Sequence, residues 1–128
     1  VATLNWQHGS PIKTIQEMDA VMDLLRGHPY LVRKALYVLT MQKYTVEKIM
    51  VKACDEDGPF SDHLQSYLWR LQKNPEMSRA MKDVLETQSC PTDLLFYQLR
   101  SSGLIYGSSR SKALPRCELY AQYFRRHL

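Results

Sequence analysis

The side chains that could do chemistry in this 128-residue chain are scattered along it. Four histidines, His8, His28, His63 and His127, are separated by too much chain to define a metal site, and no two stand at helical ligand spacing. Cys54, Cys90 and Cys117 are odd in number and far apart, so neither a disulfide framework nor a Cys-x-x-Cys metal site can be drawn from them. They read as reduced thiols filling small core positions. A Cys54–His63 nucleophilic pair can be written down, but nothing near it in sequence supplies an orienting group or an oxyanion donor. The acidic run Asp55-Glu56-Asp57-Gly58 is a poor calcium loop, because Ser66 stands where the closing glutamate would fall.

Nucleotide chemistry is equally short of parts. The phosphate-gripping Gly-x-x-x-x-Gly-Lys-[Ser/Thr] is absent, and no apolar strand ends in acidic residues that could hold magnesium. Phosphate and metal contacts supply nearly all phosphoryl-transfer catalysis, so the chain alone is expected not to hydrolyse ATP. An enzyme is not expected here.

Charge is unevenly spread over a net of +4. Residues 100–128 carry six Lys/Arg against one Asp/Glu, whereas residues 1–99 carry 11 against 12. Arg110, Lys112, Arg116, Arg125 and Arg126 are the candidate contacts for nucleic acid or an acidic partner. A solvated face is the plainer use of the same residues.

The elements that must position these groups are mostly helices. Thr14-Ile15-Gln16-Glu17 is a capping box, followed by Ile15, Met18, Met22 and Leu25 at helical spacing, joined by Val21. Gly27 stops this helix and Pro29 starts the next, whose inward face is Val32, Ala35, Leu36 and Leu39. The sharp corner leaves the first N–H groups of the second helix outward. It turns the chain, and it can also meet the edge of a ligand.

Thr45 caps a shorter helix bearing Val46, Ile49, Met50 and Ala53. The turn-rich run Asp55-Glu56-Asp57-Gly58-Pro59 then marks a boundary between modules 1–57 and 58–128. A helix from Ser61 or Phe60 follows. Asn74-Pro75 opens another, with Met77, Met81, Val84 and Leu85, and Thr92 caps a third, closed by Gly103. Leu104-Ile105-Tyr106 and Ala113-Leu114 flank the polar tip 107–112 as a hairpin, and a last helix begins near Cys117. The residues before Thr14, with Leu4, Trp6 and Ile12 around Gly9-Ser10-Pro11, are read as the end of an earlier helix and a crossing. The six methionines are read mainly as core filler, and Tyr30 and Tyr106 as the exposed tyrosines.

The expected fold is therefore mainly α. A small helical module is followed by a winged-helix module with one short β-hairpin. In a winged helix the third helix would enter the major groove, but Thr92–Ser102 offers only Arg100 as a cation and is rich in Leu94, Leu95, Phe96 and Tyr97. Nucleic-acid binding is expected to be weak and indifferent to sequence. The same apolar helix is a candidate protein-docking surface.

Two stretches resemble a known family. Gly27-His28-Pro29-Tyr30-Leu31 is similar to the Gly-x-Pro motif in the helical lid of STAND-type P-loop ATPases. Pro115-Arg116-Cys117-Glu118-Leu119-Tyr120, with Tyr123-Phe124-Arg125, is similar to the closing segment of the AAA-like domain found mostly in cyanobacterial proteins. His63-Leu64 through Leu71, and Leu99 through Gly103-Leu104, fall between them in the expected order.

The resemblance spans nearly the whole chain and matches the C-terminal part of that domain. It implies that Pro29 lies against adenine with Gly27 and His28 beside it, and that lid and winged helix shift with nucleotide state. ATP or ADP with Mg would be held by an upstream core, and the chain itself would carry no cofactor. A cytoplasmic signalling protein with a protein partner is implied, and no membrane contact. Arg26 stands where a second glycine often precedes the motif. Val1–Trp6 has neither a basic start nor a long apolar run, so no export signal is expected, and the sequence is expected to be a piece of a longer chain.

Overall fold

The structure, a computed structural model, describes residue 12, residues 14–41 and residues 43–128. The readings placed on Leu4, Trp6, His8 and Gly9-Ser10-Pro11 lie outside the described residues. Among these residues the chain is mainly helical, with one two-stranded antiparallel hairpin. It divides into two compact units, Val1–Ser61 and Asp62–Leu128.

In the first unit α1 (Ile15–Leu25), α2 (Pro29–Thr40) and α3 (Val46–Lys52) follow one another, with α1 packed on both α2 and α3. The starts are those that the sequence dictates. Thr14 Oγ1 accepts from the Glu17 N–H at 3.0 Å, and Thr45 Oγ1 accepts from the Lys48 N–H at 3.2 Å. Each bond satisfies a donor that the first helical turn leaves over. The core of this unit includes Val21 and Leu25 of α1, Leu31, Ala35 and Leu36 of α2, and Ile49 of α3.

The face of α1 differs from the one that periodicity predicts. Val21, Leu24 and Leu25 turn inward, while Ile15 is 78% exposed and Met22 42% exposed. A stripe centred between Val21 and Leu24 places Ile15 and Met22 about half a turn away from it, on the solvent side. The methionines also depart from the core reading. Met22, Met41 and Met50 are exposed, and among the six only Met81 is described as buried.

In the second unit α4 (Ser61–Gln72), α5 (Pro75–Thr87) and α6 (Asp93–Ser101) precede the hairpin of β1 (Ile105–Tyr106) and β2 (Leu114–Pro115). The last helix is α7 (Glu118–His127). Ile105 pairs with Pro115 and Tyr106 with Leu114. Asn74 Oδ1 caps α5 through the Met77 N–H at 3.3 Å, and Thr92 Oγ1 caps α6 through the Leu95 N–H at 3.2 Å.

α6 ends with Gly103 N–H donating to Arg100 O and Leu104 N–H donating to Leu99 O, the paired bonds of a Schellman turn. The hairpin tip, which contains a 3-10 turn at Arg110–Lys112, is sewn to the α5–α6 loop. Cys90 N–H donates to Arg110 O at 2.7 Å, and Ala113 N–H donates to Gln88 O at 2.9 Å. Gly107 is required at this tip, since its φ is +144° and a Cβ there would stand 2.1 Å from Lys112 O. α5 packs on α6, α7 and β2 around Met81, Val84, Phe96, Leu99, Tyr120 and Phe124. Truncating one of these aromatics to alanine would cost about 3–5 kcal/mol. No helix among the described residues is long and apolar enough to cross a membrane.

Candidate functional site

The corner between α1 and α2 is built from two consecutive residues with positive φ. Arg26 closes α1 at φ 51°, ψ 39°, its N–H donating to Met22 O at 2.7 Å, and Gly27 follows at φ +70°. His28 returns to extended backbone, gives its N–H to Leu25 O at 2.9 Å, and places Nδ1 3.5 Å from the Leu31 N–H. That N–H therefore turns back on the histidine, and the corner presents its donors outward only in part.

Gly27 and Pro29 are exposed and His28 is half-buried. Nothing lies within 4 Å of a Cβ built on Gly27, so the position demands a conformation and leaves space beside it. The pyrrolidine ring of Pro29, two residues on, is itself exposed. The corner offers no cation cluster and no set of acidic ligands, so it does not fit triphosphate or Mg. Among the described residues, no three His, Cys, Asp or Glu side chains converge to hold a metal ion.

The basic residues of the second unit differ in their exposure and contacts. Arg110 Nη1 donates to Pro91 O at 2.9 Å, and its Nε lies 3.6 Å from Asp93 Oδ1. The arginine clamps the hairpin tip to the start of α6. Lys112 is exposed, Arg116 is half-buried, and Arg125 and Arg126 are exposed in the last turn of α7, where their charge suits the helix dipole.

The opposite charge pattern closes the acidic run of the first unit. Lys52 Nζ sits 3.0 Å from Asp57 Oδ2. Their hydrogen bond pulls the carboxyl below its ordinary range and holds the ammonium above its own.

Sequence reasoning missed a cluster that joins residues 57 positions apart. His63 Nε2 of α4 lies 2.6 Å from the Tyr120 hydroxyl of α7, with the two rings stacked at 5.8 Å. Tyr67 meets the His63 ring edge-on at 4.9 Å and donates its hydroxyl to Ser102 O at 3.0 Å. Burial holds the Tyr120 phenol well above its usual range, so it stays neutral and serves as a hydrogen-bonding group. One ring nitrogen of His63 is thus committed. The only local signal was an amphipathic pattern that put Tyr120 inward.

Burial also pushes the Cys117 thiol up to about 11 and raises that of Cys90, so both are protonated, unreactive core groups at neutral pH.

On α6, Leu94 is 67% exposed and Tyr97 59% exposed. Two clefts shared with α5 border the helix, one of about 390 Å³ lined by Met77, Tyr97 and Gln98 and one of about 300 Å³ lined by Arg79, Asp83 and Leu95.

No curated protein and no solved structure matches the chain. The family model described as the AAA-like domain does match, over residues 1–126. The match covers nearly every residue, and the chain belongs to the AAA-like domain family.

Proposed function

We propose that this chain is the helical lid and winged-helix part of a STAND-type P-loop ATPase, and that it couples the nucleotide state of an upstream core to partner contacts. Its membership of the AAA-like family supports the ATPase setting. The order of three helices, hairpin and helix in the second unit supports the winged-helix reading. The observation that carries the proposal is the corner itself. A non-glycine residue is held at positive φ so that Gly27 and Pro29 stand open to solvent. A left-handed helix end also occurs at Gln88, so what sets the corner apart is the exposed Gly27 and Pro29 that follow it.

In this role Pro29 contacts the adenine, with Gly27 and His28 beside it. The upstream core holds the phosphates and Mg, and this part is non-catalytic in a bacterial, cytoplasmic signalling protein. ADP titrated onto the 128-residue chain should give negligible heat, while the chain that includes the upstream core should bind it tightly. Low-micromolar binding by the 128 residues alone would overturn the reading.

One observation favours a second reading, a protein-docking surface on α6. Leu94 and Tyr97 are exposed, and Tyr97 and Leu95 of the same helix each line an open cleft. Tyr97→Glu would then abolish partner capture by the complete protein and leave its nucleotide affinity intact. Loss of both would count against a dedicated docking helix. Nucleic acid is the less favoured partner, because Arg110 is spent on Pro91 and Asp93.

A further inference from the structure

The outer face of α2 combines aromatic rings with cations and holds no carboxylate. The helix carries Arg33 and Lys34 and no Asp or Glu. From Leu24 to Val46 there is no acidic residue at all, against the four cations Arg26, Arg33, Lys34 and Lys43. The apolar side of the helix, from Leu31 to Leu39, is buried, which leaves Tyr30, Arg33 and Tyr37 exposed and Lys34 half-buried.

These four residues stand at i, i+3, i+4 and i+7, so they form one stripe along the helix. Tyr30 and Tyr37, each 51% exposed, are separated by about 10.5 Å of helix at 1.5 Å per residue. That is about three base steps at the 3.4 Å rise of one nucleic-acid strand. Between the two rings lie both cations, with the Lys34 Nζ 5.8 Å from the Tyr37 ring centroid.

An acidic protein segment would meet the cations and leave two flat rings to be covered by something else. A single strand of nucleic acid supplies both partners at once, phosphates for the cations and unpaired bases, each with a π-face, for the rings. A duplex keeps those faces inside its own stack. α2 holds no Asn or Gln and only one Arg, too few groups to read base edges, so binding is indifferent to sequence.

We propose that the outer face of α2 binds single-stranded nucleic acid, with Tyr30 and Tyr37 stacking on bases and Arg33 and Lys34 holding the phosphates between them. The face belongs to the first unit, whereas Arg110, Lys112, Arg125 and Arg126 belong to the second. It begins one residue beyond Pro29 and runs away from the corner.

Fluorescence anisotropy of a labelled oligothymidylate of about 12 nucleotides, titrated with the 128-residue chain, tests this. The probe carries no adenine, so it does not report on an adenine contact at Pro29. Binding should saturate in about 50 mM salt and be about sevenfold weaker in about 200 mM, the dependence expected for two phosphates neutralised on a single strand. Tyr37→Ala should weaken binding about fivefold or more with the salt dependence unchanged, and Tyr37→Phe should retain it. Arg33→Gln with Lys34→Gln should weaken binding and remove most of the salt dependence.

Should Tyr37→Ala fail to fold by circular dichroism, Tyr30→Ala takes its place with the same expected loss. A wild-type chain that does not bind the probe at low salt overturns the proposal. So does binding that survives both the tyrosine and the cation variants; its loss in Arg125→Gln with Arg126→Gln would move it to the last helix. A polyglutamate peptide that displaces the probe at equal charge, with Tyr37→Ala having no effect, would assign the face to an acidic protein and equally overturn it.

Discussion

The corner at residues 26–29 and the corner at residues 73–75 start the following helix in the same way and finish the preceding helix differently. Both place a capping side chain immediately before a proline in the first helical position. At the second corner the chain leaves α4 without any positive φ. Lys73 N–H donates to Trp69 O, Asn74 N–H to Leu71 O, and Asn74 is already extended at φ −128°. At the first corner Arg26 and Gly27 both occupy the left-handed region. The cap there is an imidazole nitrogen at 3.5 Å, against a side-chain amide oxygen at 3.3 Å at the second corner. Asparagine is among the best N-caps and histidine is not.

A sharp turn between helices therefore needs none of the first corner's features. The chain makes one more economically at Asn74-Pro75. A left-handed non-glycine residue costs about 1–2 kcal/mol. The first corner retains that cost, as the end of α5 does at Gln88, and what sets it apart is the exposed Gly27 and Pro29 that follow.

The largest effect is expected at Gly27. A β-branched side chain resists φ +70°, so Gly27→Val should lower stability by about 1–3 kcal/mol. Lys73→Val, at the second corner, should change it by only about 0.5 kcal/mol or less. Thermal melts of the two variants decide this. Equal losses would mean that the first corner is no more constrained than the second.

The caps come next. Asn74→Ala should cost about 1 kcal/mol, since it strands the Met77 N–H at the start of α5. His28→Ala should cost clearly less, because a 3.5 Å contact gives up little. His28→Asn should stabilise the protein, by about 0.5 kcal/mol or more. Urea titrations rank the three. A histidine cap worth as much as the asparagine cap would remove half of the contrast.

Arg26→Gly sharpens the contrast from the other side. Relief of the left-handed conformation should raise stability by about 1 kcal/mol, less whatever the arginine side chain contributes. Gln88, at φ 58° at the end of α5, is the internal control. Gln88→Gly should gain a similar amount, since its structural duty there, the carbonyl that accepts from Ala113, is backbone.

These residues also show what the sequence made legible. Every cap read from a Thr or Asn before an apolar periodic run is realised, at Thr14, Thr45, Asn74 and Thr92, because capping is decided within four residues. The two prolines and the hairpin were readable for the same reason.

The left-handed turns at Arg26 and Gln88 were not, since neither side chain signals positive φ and the surrounding fold imposes it. The outward turn of Ile15 and Met22 was hidden because apolar type does not fix a face when Val21, Leu24 and Leu25 offer a competing one. The His63–Tyr120 bond joins α4 to α7, and no local period encodes a contact between helices so far apart in sequence. At the candidate corner, the glycine and proline were visible in the sequence. The strain that distinguishes it from Asn74-Pro75 was not.

The smallest effect on stability separates the corners by function. Pro29→Ala and Pro75→Ala each replace a proline at the first helical position, where its fixed φ suits the helix and its missing N–H was needed by nothing. Both should therefore cost the same small amount, about 0.4–1 kcal/mol, through added freedom of the unfolded chain. Their effects on ligand binding should part company. In the chain that includes the upstream core, Pro29→Ala removes a ring that stands open beside Gly27 and should weaken ADP binding several-fold. Pro75→Ala should leave it unchanged. Isothermal titration of ADP, with melting temperatures taken on the same preparations, reads both quantities. Because the two variants carry the same backbone penalty, any difference in affinity belongs to the place of the ring and not to the helix start. Matched affinities for Pro29→Ala, Pro75→Ala and the unaltered protein would reduce the first corner to a costly turn, and would remove Pro29, Gly27 and His28 from the candidate site.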